Sequence, residues 1–349
     1  MKIQIYLLLL IILIPLSAVA QNESCVLLND YRVKKVWRVY SNGKVELVLH
    51  VPKEPPSGAL GYGTTYPVPS PNQGYIAFTR KIDLWLLQLH TKEPFRLTQV
   101  EITNKKQYTS AQVFITGWSS DSSKILYYLG HSFTGFPGHS EPTINGTPVK
   151  YGFHIYDLGA KLTTPVPIKG QFLAWLPNGD FLLKSKDQLV RTKVTGEKLK
   201  PITYLTGDFG QIHVSKEGQW ILAKLKNQII KISTMTGDAT PITPVGAWAE
   251  YQWPKFSPSA KHIAYLHRTE SKIHPSGSGF IAAGFLVVDG RLIYPYTGND
   301  EYNWIDDGTI AIISEKKGSL ELTILDSTKG QKKSQHKLGI IAALEMKNQ

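Results

Sequence analysis

Past residue 20 the chain is a succession of short apolar runs with alternating polar positions, each bounded by Gly, Pro, Asn, Asp or Ser. Alternation with a period of two marks half-buried strands, and the bounding residues are those that turn a chain back on itself. One pattern recurs six times. An aromatic or apolar residue precedes a short turn, and an alternating run follows. The copies are Val68-Pro-Ser-Pro-Asn-Gln-Gly-Tyr-Ile-Ala-Phe78, Gly117-Trp-Ser-Ser-Asp-Ser-Ser-Lys-Ile-Leu-Tyr127 and Ala174-Trp-Leu-Pro-Asn-Gly-Asp-Phe-Leu-Leu183. Then come His213-Val-Ser-Lys-Glu-Gly-Gln-Trp-Ile-Leu-Ala223, Lys255-Phe-Ser-Pro-Ser-Ala-Lys-His-Ile-Ala-Tyr265 and Asn303-Trp-Ile-Asp-Asp-Gly-Thr-Ile-Ala-Ile312. They lie roughly 40 to 57 residues apart, the spacing of units that each add one small sheet to an array.

Each position has a physical task. The residue before the turn (Trp118, Trp175, Phe256, Trp304) is expected to end an innermost strand and pack between neighbouring units. The Ser-Pro, Asp and Gly positions supply the turn. A third and a fourth strand follow in most units: Asp83 to Leu89 leads to Phe95-Arg-Leu-Thr98, and Gln228 to Ile232 leads to Pro241-Ile-Thr243. Leu320 to Leu325 leads into the turn at Thr328-Lys-Gly330.

Ser-Pro-x-x-x-x-Ile-Ala-Phe, followed by Asp-Leu-Trp-Leu and Arg-Leu-Thr, resembles the WD40-like repeat of TolB-type β-propellers. The resemblance is closest at residues 69–98 and 254–266 and extends over most of the chain beyond the leader. It implies an all-β fold: a six-bladed propeller of four-stranded antiparallel blades, forming a single domain over 21–349. It also implies protein–protein interaction in the cell envelope, although propellers host many unrelated activities. TolB carries an additional N-terminal α/β domain that the stretch between Gln21 and Val68 is too short to hold, so the same partner does not follow.

Val36 to Val51 reads as one more hairpin, with Asn42-Gly43 at a tight turn. It is expected to join strands from the C-terminus in one blade, so that the two ends lock the ring and leave no open edge. The alternative is a further blade built with Leu338 to Leu344, which makes seven.

The first residues decide the compartment. Met1-Lys2, an apolar run from Ile3 to Ala20 and the ending Ala18-Val-Ala20 form a signal peptide with cleavage after Ala20. The run is short for a bilayer span and contains Pro15, so no membrane span is expected after cleavage. The protein is expected in the periplasm or outside the cell. Cys25 is the single cysteine, which excludes an intramolecular disulfide. A formal charge of +12 favours anionic partners such as an acidic glycan, lipid headgroups or an acidic protein surface. The compartment and the lack of a basic tail argue against nucleic acid.

Two connections between second and third strands are enlarged, and in this repeat they share a face with the connections between blades. One holds His131, Phe133, Phe136, His139 and Glu141; the other holds His267, Arg268, Glu270 and His274. The interblade connections add Trp248, Tyr251 and Tyr302. Aromatics mixed with charges around a concave mouth suit a sugar ring or a peptide. The histidines lack a tight ligand spacing, so no metal and no cofactor is expected. Gly117-Trp-Ser-Ser-Asp121 lacks the second glycine of a hydrolase elbow, so no catalytic residue is assigned. The expected function is non-catalytic binding or scaffolding of an envelope protein or an anionic glycan. The alternative is a polysaccharide lyase or glycosidase with its site at the channel mouth.

Overall fold

A computed structural model describes residues 24–30, 35–50, 67–80, 82–102, 110–132, 142–246, 250–273, 280–297, 300–316 and 319–340. Every regular element in them is a strand. Sheet I holds β1 (Cys25–Asp30), β2 (Lys35–Tyr40) and β3 (Val45–His50); sheet II holds β4 (Val68–Pro69), β5 (Tyr75–Arg80), β6 (Asp83–Gln88) and β7 (Glu93–Arg96). A short strand, β8 (Val100–Ile102), precedes sheet III, whose first strands are β9 (Ser110–Trp118) and β10 (Lys124–Ser132). The hairpin β11 (Pro142–Ile144) and β12 (Thr147–Pro148) interrupts sheet III before β13 (Gly152–Asp157) and β14 (Leu162–Val166) complete it. Sheet IV holds β15 (Gln171–Trp175), β16 (Phe181–Ser185), β17 (Gln188–Thr192) and β18 (Lys198–Pro201). Sheet V holds β19 (Phe209–Val214), β20 (Trp220–Leu225), β21 (Gln228–Ser233) and β22 (Ala239–Pro241). Sheet VI holds β23 (Tyr251–Phe256), β24 (Ile263–Ile273), β25 (Phe280–Val288) and β26 (Arg291–Thr297). Sheet VII holds β27 (Glu301–Asp306), β28 (Thr309–Lys316), β29 (Ser319–Asp326) and β30 (Lys332–Ile340).

Hydrophobic clusters join these sheets in a closed circuit. Leu27 of sheet I meets Ile76 of II, and Leu86 of II meets Ile125 of III. Leu126 of III meets Leu183 of IV, and Leu182 of IV meets Ile221 of V. Leu222 of V meets Val287 of VI, Leu286 of VI meets Ile310 of VII, and Ile313 of VII returns to Val26 of I. Adjacent residues such as Ile221 and Leu222 therefore serve opposite neighbours. The middle strands of the sheets are buried on both faces, as in β5, β16 and β20, while outer strands such as β7 and β18 are exposed. Each such leucine or isoleucine contributes about 1.5–3 kcal/mol by leaving water. First strands of successive sheets touch (β9 with β15, β15 with β19, β19 with β23, and β27 with β1), so these strands surround the centre of the ring.

The repeat residues now have a mechanism. Ser70, Ser119, Ser215 and Ser257 each accept, on the side-chain hydroxyl, the N–H of the residue five positions on, at 3.0, 2.9, 3.0 and 3.2 Å. Thr98 and Thr243 do the same for Leu84 and Ile229, at 2.9 and 3.0 Å, tying the end of the repeat to its third strand. The buried indole of Trp118 donates to Val68 O at 2.9 Å, and that of Trp304 to Lys255 O at 3.4 Å, so each clasps the preceding sheet. Ser119 is held between Asp121 and the N–H of Lys124. It is a turn residue.

The ring closes differently from the expectation. β30 pairs with β29, while β1, β2 and β3 form a sheet of their own, so the two ends share no sheet among the described residues. The six repeat copies all build four-stranded sheets, and the N-terminal sheet is a further member of the circuit. Its apolar residues serve both neighbours, Leu27 and Val36 towards sheet II and Val26 and Trp37 towards VII, which leaves pairing with β30 unnecessary for closure. Residues 1–23, where the leader is expected, and 341–349 lie outside the described residues. No helix among the described residues is long and apolar enough to cross a membrane.

Candidate functional site

Two observations identify the loop side of the ring. β8, in the connection from sheet II to III, pairs with β11, inside the enlarged connection of sheet III. Likewise Arg268 N donates to Glu250 O at 2.7 Å, joining β24, at the point where its pairing with β23 ends, to the connection from sheet V to VI. Both kinds of connection thus emerge together. Sheets III and VI, which carry the two insertions, are separated by IV and V on one path and by VII, I and II on the other, so they face each other across the ring.

The candidate residues divide sharply. Phe133, Phe136, His139 and Glu141 of one insertion, with His274 and Trp248, lie outside the described residues. His131 sits near the end of β10, opposite Ala111. His267, Arg268 and Glu270, read from the sequence as part of an enlarged loop, lie instead within β24, which pairs with β25 along this stretch, and His267 is half-buried. Its Nε2 lies 3.1 Å from Glu250 Oε1, and its ring stacks on Tyr251 with centroids 5.0 Å apart. Arg268 is half-buried, and Glu270 is exposed. Tyr251 and Tyr302, read from the sequence as loop residues, are the first residue of β23 and the second of β27 and are buried. The Tyr302 hydroxyl lies 2.5 Å from Trp253 O and 2.9 Å from Ala264 O, bridging two carbonyls. Burial pushes that phenol well above its ordinary range. These two rings hold the inner strands rather than face a ligand.

The more developed site lies one step inward, on the inner edge of sheet VI. β23 carries an irregularity between Gln252 and Lys255, and Trp253 sits there at φ 54°, a region that non-glycine residues rarely adopt. β19 carries the matching irregularity, with Gln211 at φ 48°. Side chains from both neighbours cap the free edge of β23. Trp253 N donates to Gln211 Oε1 at 2.8 Å, and Phe256 N donates to His213 Nδ1 at 3.2 Å, both from sheet V. Tyr302 and Trp304 of sheet VII bind the carbonyls of Trp253 and Lys255. With its backbone held on both sides, Trp253 leaves its indole 55% exposed.

Lys255 donates to Tyr302 O at 2.6 Å and lies 5.0 Å from that ring's centroid. Burial pulls its ammonium down to about 8, against the opposing field of Glu301. Burial, helped by Lys255, pushes His213 down to about 4, so its ring is neutral at neutral pH. Because Nδ1 accepts from Phe256, the neutral ring carries its proton on Nε2. Tyr204, 96% exposed, and Val245, 71% exposed, stand on the neighbouring interblade connections of the same side. Sequence reasoning passed over Trp253, Gln211 and His213 as site residues. Pro254, a proline inside an apparent strand, was the available signal of an edge with a bulge.

Among the described residues no three His, Cys, Asp or Glu side chains converge as a metal site. On the opposite, turn side, a cleft of about 460 Å³ between sheets III and IV is lined by Ser120, Asp121, Trp175, Pro177 and Asn178.

A closed circuit of radially packed antiparallel sheets, each starting at the centre, with an edge-capped site at its mouth, defines a β-propeller. No protein-family model matches the chain, and no curated protein matches it. Among solved structures it is similar to TolB from Acinetobacter baumannii, with 13% identity and a TM-score of 0.42, covering 85% of this chain and 74% of that one. Porphyromonas gingivalis dipeptidyl peptidase 4 matches at 12% identity and a TM-score of 0.46, covering 90% of this chain and 49% of that one, so the chain spans about half its length. The dihydro-heme d1 dehydrogenase NirN matches at 11% identity and a TM-score of 0.46, covering 91% and 74%.

Proposed function

We propose that the protein is an exported, non-catalytic binding or scaffold propeller whose loop side engages a protein or glycan partner in the cell envelope. One observation carries this reading: an indole 55% exposed, on a backbone fixed from both neighbouring sheets, at the inner edge of the ring. An exposed tryptophan on a backbone already held in place is suited to anchoring a partner. The leader at residues 1–20 and the charge of +12 support export and an anionic envelope partner.

The test is a pull-down from an envelope fraction beside a glycan array, run with the wild type, Trp253→Ala and the turn-side variant Trp175→Ala. Capture lost only in Trp253→Ala supports the reading. Capture that survives Trp253→Ala and disappears with Trp175→Ala moves the partner to the other side of the ring and defeats it. The polysaccharide-cleaving alternative draws on the His267–Glu250 pair, a histidine and a carboxylate 3.1 Å apart on this side. It requires product release from a polysaccharide that His267→Gln abolishes.

A further inference from the structure

We propose that the inner edge of β23 is a saccharide subsite, in which a pyranose ring stacks on the indole of Trp253 and its hydroxyls accept hydrogen bonds from Gln211 and His213. The inference rests on the loop side being the binding face and names what that face takes. Three features of the edge lead to it.

First, the two side chains that cap the N–H groups of this edge have donors to spare. Gln211 must turn its Oε1 to Trp253 N, which leaves its amide NH₂ directed away from that contact. His213 accepts at Nδ1 and therefore offers Nε2–H. A sugar hydroxyl is a good acceptor for both. Second, the edge is closed to an extended peptide. Strand addition needs a row of free N–H and C=O groups in extended conformation. Here the N–H groups of Trp253 and Phe256 and the carbonyls of Trp253 and Lys255 are already bonded to side chains, and Trp253 is not extended. A pyranose needs no backbone ladder; it needs a flat apolar platform and a few fixed polar groups. Third, the backbone that carries the indole is held from both neighbouring sheets before any ligand arrives, so little backbone ordering is required on binding. Lys255 is opposed by the charge of Glu301, so the subsite does not demand an acidic sugar.

The experiment is a calorimetric titration of the signal-free protein with cellotriose, tri-galacturonate and, as the contrasting probe, a hexaglutamate peptide. At least one of the two saccharides is expected to bind. Trp253→Ala weakens that binding about tenfold or more, the scale of one lost stacking contact. Trp253→Phe, which keeps a platform, retains most of it, and unchanged melting of both variants separates lost contact from lost fold. Absence of binding by both saccharides, binding indifferent to Trp253→Ala, or Trp253-dependent binding of the peptide alone overturns the inference. If the saccharides fail while envelope capture still depends on Trp253, the binding reading stands and only the ligand class falls. If capture is also indifferent to Trp253, both fall.

Discussion

Sheets II and VI carry the two clearest copies of the repeat, yet their innermost strands differ in length and in how the free edge is capped. In both, a buried serine (Ser70, Ser257) folds the turn through the same pair of hydrogen bonds to the residue five positions on. In both, the carbonyl side of the first strand is clasped by a tryptophan of the next sheet, Trp118 for II and Trp304 for VI. But β4 is two residues long, whereas β23 runs for six, bulges at Trp253 and is capped by four side chains. The shared residues hold turns and interfaces. The proposed binding edge lies where one copy departs from the other.

The largest effects should be identical in the two sheets. Leu86→Ala in II and Leu286→Ala in VI each empty a fully packed interface and should each cost about 2–5 kcal/mol, read by chemical denaturation. A marked asymmetry would mean that the interfaces are not equivalent. The next effect belongs to VI alone. His213 is held near 4, below its ordinary value of 6.5, so the unfolded chain takes up the proton first as the pH falls. Its contribution is fully present above pH 6.5 and is lost as the pH falls through 4, at most about 3 kcal/mol. Unfolding measured at pH 7 and pH 4.5 should show a steeper loss in the wild type than in His213→Asn; equal slopes would remove His213 from the buried edge.

Smaller again is Tyr302→Phe, which deletes the hydroxyl bridging two carbonyls and should cost about 1–3 kcal/mol. Trp118→Phe removes the single indole bond between II and III and should fall in the lower half of that range. The smallest is Trp253→Gly. Glycine adopts φ 54° without strain, so stability should stay within about 1 kcal/mol of the wild type while ligand binding is lost. A larger destabilisation would show that the indole packs the fold instead of facing a ligand.

Much of the fold was legible because local chemistry repeats. Ser70, Ser119, Ser215 and Ser257 act within five residues, so their bonds leave a motif that a single sequence displays. The apolar runs gave the strands for the same local reason. The ring closure was not legible, because Leu27 and Val26 choose their neighbours across the whole length of the chain. Tyr251 and Tyr302 follow turn residues and so read as loop, but they are the first residue of β23 and the second of β27, inner strands in which each packs against a sheet it does not belong to. The edge of β23 was hidden for a related reason. Its caps come from residues 42, 43 and 49 positions away along the chain, and only the folded ring brings Gln211, His213, Tyr302 and Trp304 to it.

Amide hydrogen exchange at Trp253 and Phe256 tests the capped edge most directly. Side-chain capping predicts that both exchange as slowly as amides within the sheet VI ladder, that Gln211→Ala frees Trp253 alone, and that His213→Ala frees Phe256 alone. Open-edge exchange at both positions in the wild type, or indifference to either substitution, would contradict it.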